Sequence, residues 1–116
     1  MYGLSTDFPF GDLGGAELQQ ICFGENEVIF NFSDNISVLV MSEIRIGSEE
    51  NAGCEDFKSL SGELLRLLGL KITRAASQNN KDITLLFSDG TDLTLIDNSE
   101  SFESYVISMK SKKYVI

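Results

Sequence analysis

The sequence predicts an α+β domain built mainly of antiparallel β-hairpins, arranged as one curved sheet or as two packed halves, with one main helix. Three observations lead to this fold class. Two segments alternate apolar and polar residues and are interrupted by acidic turns, while a third segment between them places leucines at helical spacing. The length of 116 residues suits one domain, because a chain of this size buries roughly two thirds of its unfolded surface.

The two alternating segments form an internal repeat. The turn motif FSDN at 32–35 recurs as FSDG at 87–90, and the apolar positions around both motifs coincide. The aligned positions are Val28, Phe30, Phe32, Val38 and Val40 in the first segment and Ile83, Leu85, Phe87, Leu93 and Leu95 in the second. Each arm has the period of two that is typical of a half-buried strand. The repeat therefore predicts two hairpins.

A three-residue loop brings the apolar faces of the two arms into agreement. It places Phe30 opposite Val38 and Val28 opposite Val40, whereas a two-residue turn would oppose apolar and polar residues. Such loops combine a type I turn with a left-handed third residue, a conformation that Asn and Gly tolerate. The repeated FSD motif is therefore predicted to close hairpins and not to carry catalysis.

The segment between the repeats predicts a helix over residues 54–68. Apolar residues recur there at helical spacing, namely Phe57, Leu60, Leu64, Leu67 and Leu68. Gly69 suits the C-terminal cap, and Gly62 weakens the helix by about 1 kcal/mol. We expect this helix to cover one sheet face with its leucine stripe in the core.

The remaining chain completes a single domain spanning residues 1–116. Residues 1–15 are rich in glycine and contain Pro9, so they are expected to form an irregular arm. Four further segments have extended character, namely Leu18 to Phe23, Leu70 to Ala75, Glu103 to Met109 and Tyr114 to Ile116.

The charge is strongly negative. Eighteen acidic residues against nine basic ones give a net charge of −9, and Arg45 is the only base before residue 57. Such a field repels nucleic acid and anionic membrane and speeds encounter with basic protein surfaces. We therefore expect a basic protein partner, with neither nucleic acid nor membrane as a partner.

Metal, cofactor and catalytic chemistry are not expected. The chain has no histidine, and Cys22 and Cys54 stand far apart without a CxxC motif, which excludes the common zinc ligand sets. A disulfide between the two cysteines remains open, but a core of this size does not need one, so two reduced thiols that act as small apolar groups are expected. Ser-His and Cys-His pairs are equally excluded, and no Walker A or dinucleotide fingerprint is present. Because these catalytic motifs are missing, we do not expect enzyme activity. Residues 1–15 have neither a basic start nor a continuous apolar stretch, so a cytoplasmic protein is expected.

The stretch after the second hairpin is the candidate partner-binding site. It contains five acids, two aromatic residues and no base, namely Asp89, Asp92, Asp97, Glu100, Phe102, Glu103 and Tyr105. The aromatic residues would anchor an interface, since Tyr and Phe favour such positions. In the alternative interpretation, both aromatic residues lie in the core and the acids are solvated.

Three segments together resemble a family of small bacterial domains of undefined biochemical activity. They are LQQICFGENEVIFNF at 18–32, LLFSDGTDLTLID at 85–97 and FESYVI at 102–107. The first hairpin turn departs from the family pattern, because Asn35 stands where a glycine is expected. Members of such families are found among immunity proteins, which neutralise polymorphic or contact-dependent toxins in the cytosol. The resemblance implies stoichiometric inhibition, in which an acidic surface docks on a basic toxin domain, a nuclease being a candidate, and blocks its substrate groove.

Two other classes of function remain open at the level of sequence. One is a small-molecule-binding or carboxylate-based enzymatic domain that uses a concavity of the sheet. The other is a structural subunit that completes its sheet against a neighbour in an oligomer. The oligomeric state, the strand order and the identity of any toxin are not determined by the sequence.

Overall fold

The fold consists of two antiparallel sheets and one short helix. The computed structural model describes residues 8–47, 57–77, 79, 81–97, 104–109 and 112–116, with the side chains of 57 and 58 left out. Within these ranges the strands are β1 (Leu18–Phe23), β2 (Val28–Phe32), β3 (Ser37–Val40), β4 (Glu43–Ile46), β5 (Ile72–Ala76), β6 (Ile83–Phe87), β7 (Asp92–Ile96), β8 (Tyr105–Met109) and β9 (Lys112–Val115). The predicted β-rich antiparallel architecture is confirmed.

The two sheets exchange strands between the halves of the chain. The first sheet has the order β1-β2-β3-β8-β9 and the second has the order β4-β7-β6-β5. The first half supplies β1, β2 and β3 to the first sheet and its fourth strand, β4, to the second sheet. The second half supplies β5, β6 and β7 to the second sheet and its fourth strand, β8, followed by β9, to the first sheet. Strand β4 pairs with β7, and β8 pairs with β3. Both sheets contribute buried side chains to one hydrophobic core.

The predicted hairpin registers are confirmed. Val28 lies opposite Val40 and Phe30 lies opposite Val38 in the first hairpin. The equivalent pairs of the second hairpin are Ile83 with Leu95 and Leu85 with Leu93. Buried residues alternate with half-buried ones along β2 and β6, as the period of two requires.

The two hairpin loops differ in backbone conformation. In the second loop Gly90 has a φ of +92° and the Phe87 N–H donates to the Thr91 carbonyl, as the three-residue loop predicts. In the first loop both Asp34 and Asn35 are left-handed, with φ of +62° and +60°. Asp and Asn tolerate this region better than other non-glycine residues, so the first loop is formed without glycine.

The helix is shorter than predicted. A 3-10 turn over Phe57–Leu60 precedes α1 (Ser61–Leu65), and residues 54–56 lie outside the described residues. A five-residue helix is roughly 7.5 Å long and does not cover a sheet face. Leu64 and Leu67 are buried, but Leu68, predicted to be in the core, is 40% exposed, and Leu65 is 50% exposed.

Gly62 and Gly69 give the physical reason for the short helix. Gly62 lies inside α1 and weakens its helical preference. Gly69 has a φ of +86° and its N–H donates to the Leu18 carbonyl, which turns the chain toward β5. The leucine spacing continues past the point where the helix ends.

The described part of the N-terminal arm is packed into the fold. A 3-10 turn spans Phe10–Leu13, and Leu13 is fully buried. The ring of Phe8 lies edge-on to Tyr114 of β9, with centroids 5.0 Å apart. Residues 8–15 thus contain no strand or α-helix, and they are packed against the rest of the fold. Cys22 is a free, half-buried thiol, and Cys54 lies outside the described residues.

Candidate functional site

The three described acids of the predicted partner-binding surface are distributed along one strand and its two ends. Asp89 lies in the loop before β7, Asp92 begins that strand, and Asp97 follows its other end. Because the strand alone is roughly 16 Å long, Asp89 and Asp97 lie toward opposite ends of the second sheet. Glu100, Phe102 and Glu103 lie outside the described residues.

Asp89 is the exposed member of this set. It accepts a hydrogen bond of 2.9 Å from the Thr91 N–H within the loop. The hydrogen bonds from Thr91 hold the pKa of the Asp89 carboxyl below its usual value of 3.8. The carboxylate therefore remains charged at neutral pH and is accessible to a partner.

Asp97 has a structural role in the polar contacts at the end of β7. Its N–H donates to Asp82 Oδ1 at 2.9 Å, and its own Oδ1 accepts a hydrogen bond of 2.9 Å from Ser104 Oγ. Ser104 is fully buried at the start of β8. These contacts join β6, β7 and β8 and account for Asp97 without a partner.

Tyr105 is in the core, so it is not the exposed aromatic anchor that the sequence predicted. It is 0% exposed, and its hydroxyl donates to the Lys81 carbonyl at 2.5 Å. Burial, with a smaller contribution from the negative charges of Asp82 and Asp97, raises the pKa of Tyr105 far above its usual value. The alternation along β8 places this residue inward, which the neighbouring acids did not indicate.

The repeated FSD motif connects the two hairpin loops through its serine. Ser33 Oγ accepts a hydrogen bond of 3.0 Å from the Glu17 N–H, and the Ser33 N–H donates to the Glu17 carbonyl at 2.9 Å. Ser88 makes the same two bonds with Lys71, at 3.3 and 2.9 Å. Glu17 and Lys71 face one another in an antiparallel bridge. The motif therefore has the same architectural role in both copies.

These contacts bring the acidic tips of the two hairpins to one region of the surface. Three interstrand steps connect Ser33 to Ser88, which places them no more than roughly 14 Å apart. Asp34 and Asp89 follow these serines, and both are exposed. We call the two tips, residues 33–35 and 88–90, the hairpin-loop surface.

A concave site of about 360 Å³ lies on the outer face of the second sheet. Its lining comes from all four strands of that sheet, namely Arg45, Arg74, Ala76, Thr84, Leu86, Asp92 and Thr94. These residues alternate in sequence with inward-facing core residues such as Ile44, Leu93 and Leu95. We call this site the arginine pocket.

The polar groups of the arginine pocket are only partly paired with one another. The hydroxyls of Thr84 and Thr94 are 3.0 Å apart, and Thr94 is 3% exposed although it faces away from the core. The Nε atom of Arg45 is buried and has no hydrogen-bond partner among the described residues. A buried charged donor of this kind requires an acceptor.

The sequence interpretation missed this pocket, although it singled out two of its residues separately. In the sequence, Arg45 stands out only as the one base before residue 57, and Asp92 stands out only as one of a run of acids. The available signal was alternation, because Arg45 and Thr94 occupy polar positions that alternate with apolar ones along their segments. Sequence alone could not bring β4 and β5 into one sheet.

Two kinds of feature are absent from the described residues. No three acidic or cysteine side chains there are grouped so that they could hold a metal ion. Likewise, none of the helices in the described ranges is long and apolar enough to cross a membrane.

Comparisons with protein families, curated proteins and solved structures found no match to this chain. Function is therefore inferred from the charges and contacts of its own residues.

Proposed function

We propose that the protein is an immunity protein that binds a cognate bacterial toxin domain in the cytoplasm and inhibits it stoichiometrically. The observation that carries this proposal is the twofold excess of acidic over basic residues, eighteen against nine. A net charge of −9 complements a basic surface and raises the rate of encounter with it. A toxin that cleaves nucleic acid has such a surface, since it must bind phosphates.

The hairpin-loop surface is the region that we propose to contact the toxin. Asp34 and Asp89 are both exposed there, and the hydrogen bonds from Thr91 that lower the pKa of Asp89 also orient its carboxylate. The loops are supported by the Ser33 and Ser88 hydrogen bonds, so the two carboxylates are presented on a defined backbone. Ordered carboxylates can occupy positions on a nuclease that phosphates would otherwise take.

A carboxylate-based enzyme and a structural subunit of an oligomer have less support. General acid and base catalysis by carboxylates usually needs two of them, and Asp92 is the one acid among the residues that line the arginine pocket. A structural subunit would pair through an open sheet edge. The β9 edge has exposed Lys112 and Lys113, and edge lysines oppose such pairing.

The test is co-expression with the C-terminal domain of a toxin encoded by an adjacent gene. We expect a one-to-one complex that survives size-exclusion chromatography at high salt and that suppresses the toxin's activity. The proposal is wrong if no neighbouring toxin gene exists, or if the purified domain neither binds nor is inhibited.

Charge reversal distinguishes the hairpin-loop surface from net charge. Asp89→Lys should slow association and weaken the complex, because it places a cation against the basic toxin surface. Glu25→Lys is the matched control, since Glu25 is exposed in the β1–β2 turn, at the opposite end of β2 from Asp34. Equal effects of the two variants would assign binding to net charge and remove the hairpin-loop surface from the proposal.

A further inference from the structure

The arginine pocket has a charge opposite to that of the chain as a whole. Two of the three arginines, Arg45 and Arg74, line it together with a single acid, Asp92. They come from the two edge strands of the second sheet, β4 and β5, whose partners β7 and β6 lie between them. A protein with a net charge of −9 thus concentrates positive charge at one concave site.

Arg45 has an unmet hydrogen-bonding requirement in this pocket. Its Nε–H is buried, and nothing in the described part of the chain accepts its hydrogen bond. A guanidinium has five N–H donors in a planar fork that matches the two oxygens of a carboxylate or a phosphate. An oxyanion would satisfy this donor and neutralise the local charge.

The floor of the pocket offers further polar groups to a ligand. The Thr84 and Thr94 hydroxyls share one hydrogen bond of 3.0 Å, so one of the two protons is used in this pair and the other is not. The Asp92 carboxylate can accept a hydrogen bond from a hydroxyl or an ammonium group. Leu86 and Ala76 supply the apolar part of the lining.

The size of the pocket indicates an organic molecule and not a bare ion. A volume of about 360 Å³ corresponds to about twelve water molecules and lies at the lower end of the range of small-molecule sites. We propose that the arginine pocket binds a small organic molecule through its carboxylate or phosphate group, which lies between Arg45 and Arg74. This activity is separate from toxin inhibition.

Binding is tested with inorganic phosphate, ribose 5-phosphate and succinate, each compared with sodium chloride at equal ionic strength. The readouts are the rise in Tm with probe concentration and changes in the amide NMR signals of Thr84 and Thr94. Saturable binding of a phosphorylated probe assigns the site to phosphate, and selective binding of succinate assigns it to carboxylate. No saturable binding by any probe up to about 10 mM overturns the proposal.

Two variants and a matched control locate the binding. Arg74→Gln and Arg45→Gln should each lower the affinity for the probe by about tenfold or more, because each removes a charge-assisted hydrogen bond. Arg74 is exposed, so its replacement leaves the core untouched. Arg66→Gln removes the same charge from the exposed turn after α1, outside the pocket, and should leave affinity unchanged. Equal losses in Arg66→Gln and Arg74→Gln would overturn the proposal.

Discussion

Phe32 and Phe87 stack in the core, with ring centroids 6.5 Å apart and an interplanar angle of 19°. The two residues occupy the same position in the internal repeat, since each ends the first strand of a hairpin directly before its acidic loop. Both are buried, and they belong to different sheets. The halves of the chain are therefore packed against one another through equivalent residues.

Replacing either ring should destabilise the fold, and the two effects should not add. Phe32→Leu and Phe87→Leu are each expected to lower the free energy of unfolding by about 1–2 kcal/mol, because leucine leaves part of the ring volume empty. A double-mutant cycle should give a coupling of about 0.5–1.5 kcal/mol from the lost ring contact. Urea denaturation of the wild type, the two single variants and the double variant measures these free energies of unfolding.

The control for this cycle is Phe8, whose ring contacts are with Phe10 and Tyr114. Phe8→Leu combined with Phe87→Leu should be additive to within about 0.5 kcal/mol. A Phe32–Phe87 cycle as additive as this pair would contradict a direct interaction.

The same substitution at two glycines should have opposite effects. Gly90→Ala should cost about 1–2 kcal/mol, because alanine is strained at a φ of +92° although the space around Cβ is open. Gly62→Ala should stabilise by about 0.5–1 kcal/mol, because Gly62 is in α1 and its Cβ position is also open. Thermal unfolding measures the stability change of each variant. Destabilisation by Gly62→Ala would contradict the placement of Gly62 inside a helix.

The serines of the repeated motif should differ in importance. Ser33→Ala should cost about 1–2 kcal/mol, because it leaves the Glu17 N–H, in a partly buried position, without its acceptor at 3.0 Å. Ser88→Ala should cost less, since its bond to the Lys71 N–H is longer, 3.3 Å, and exposed to water. Urea denaturation measures the loss of unfolding free energy in each variant. Equal losses would contradict the prediction that the more buried hydrogen bond of Ser33 contributes more to stability.

Tyr105 should contribute to alkaline unfolding. Its pKa is raised in the folded protein, whereas the unfolded side chain ionises near its usual value of 10.0. Its contribution to stability is therefore fully present below about pH 10 and is lost as the pH rises above that value. Tyr105→Phe has no proton to release, so its free energy of unfolding should fall less steeply above pH 10.

The same variant has a second effect at neutral pH. Tyr105→Phe should lose about 1 kcal/mol because the hydrogen bond to the Lys81 carbonyl is removed. Tyr114→Phe is the control, since it removes a half-buried phenol from β9. Urea denaturation at several alkaline pH values measures the free energy of unfolding of the wild type, Tyr105→Phe and Tyr114→Phe. If this free energy falls equally steeply with pH in all three proteins, the role assigned to the Tyr105 hydroxyl is wrong.

The hairpins were predictable because the forces that specify them are local. Alternation defines which residues of β2 and β6 face inward, and Asn35 and Gly90 occur where the loops need left-handed residues. The helix was overestimated because leucine spacing continues past Leu65 while Gly62 and Gly69 limit the helical conformation. Periodicity reports which face is apolar, not where the backbone turns.

The candidate sites were less predictable because they depend on contacts between distant segments. Asp89 and Asp97 are close in sequence, but an extended strand separates them, whereas Arg45 and Arg74 are brought into one pocket by the order β4-β7-β6-β5. Alternation along β8 indicates that Tyr105 faces inward, as the alternative interpretation held, but the pairing of β8 with β3 joins segments that are distant in sequence.

The exchange of the fourth strands has a consequence for synthesis on the ribosome. Strand β4 leaves the ribosome roughly fifty residues before β7, its partner, a delay of roughly 3–10 s at a synthesis rate of roughly 5–20 residues per second. During that interval its backbone donors and acceptors have no partner strand and are open to aggregation. Glu43 and Arg45 place charges on one face of this segment, and charges at such positions oppose the aggregation of an unpaired strand.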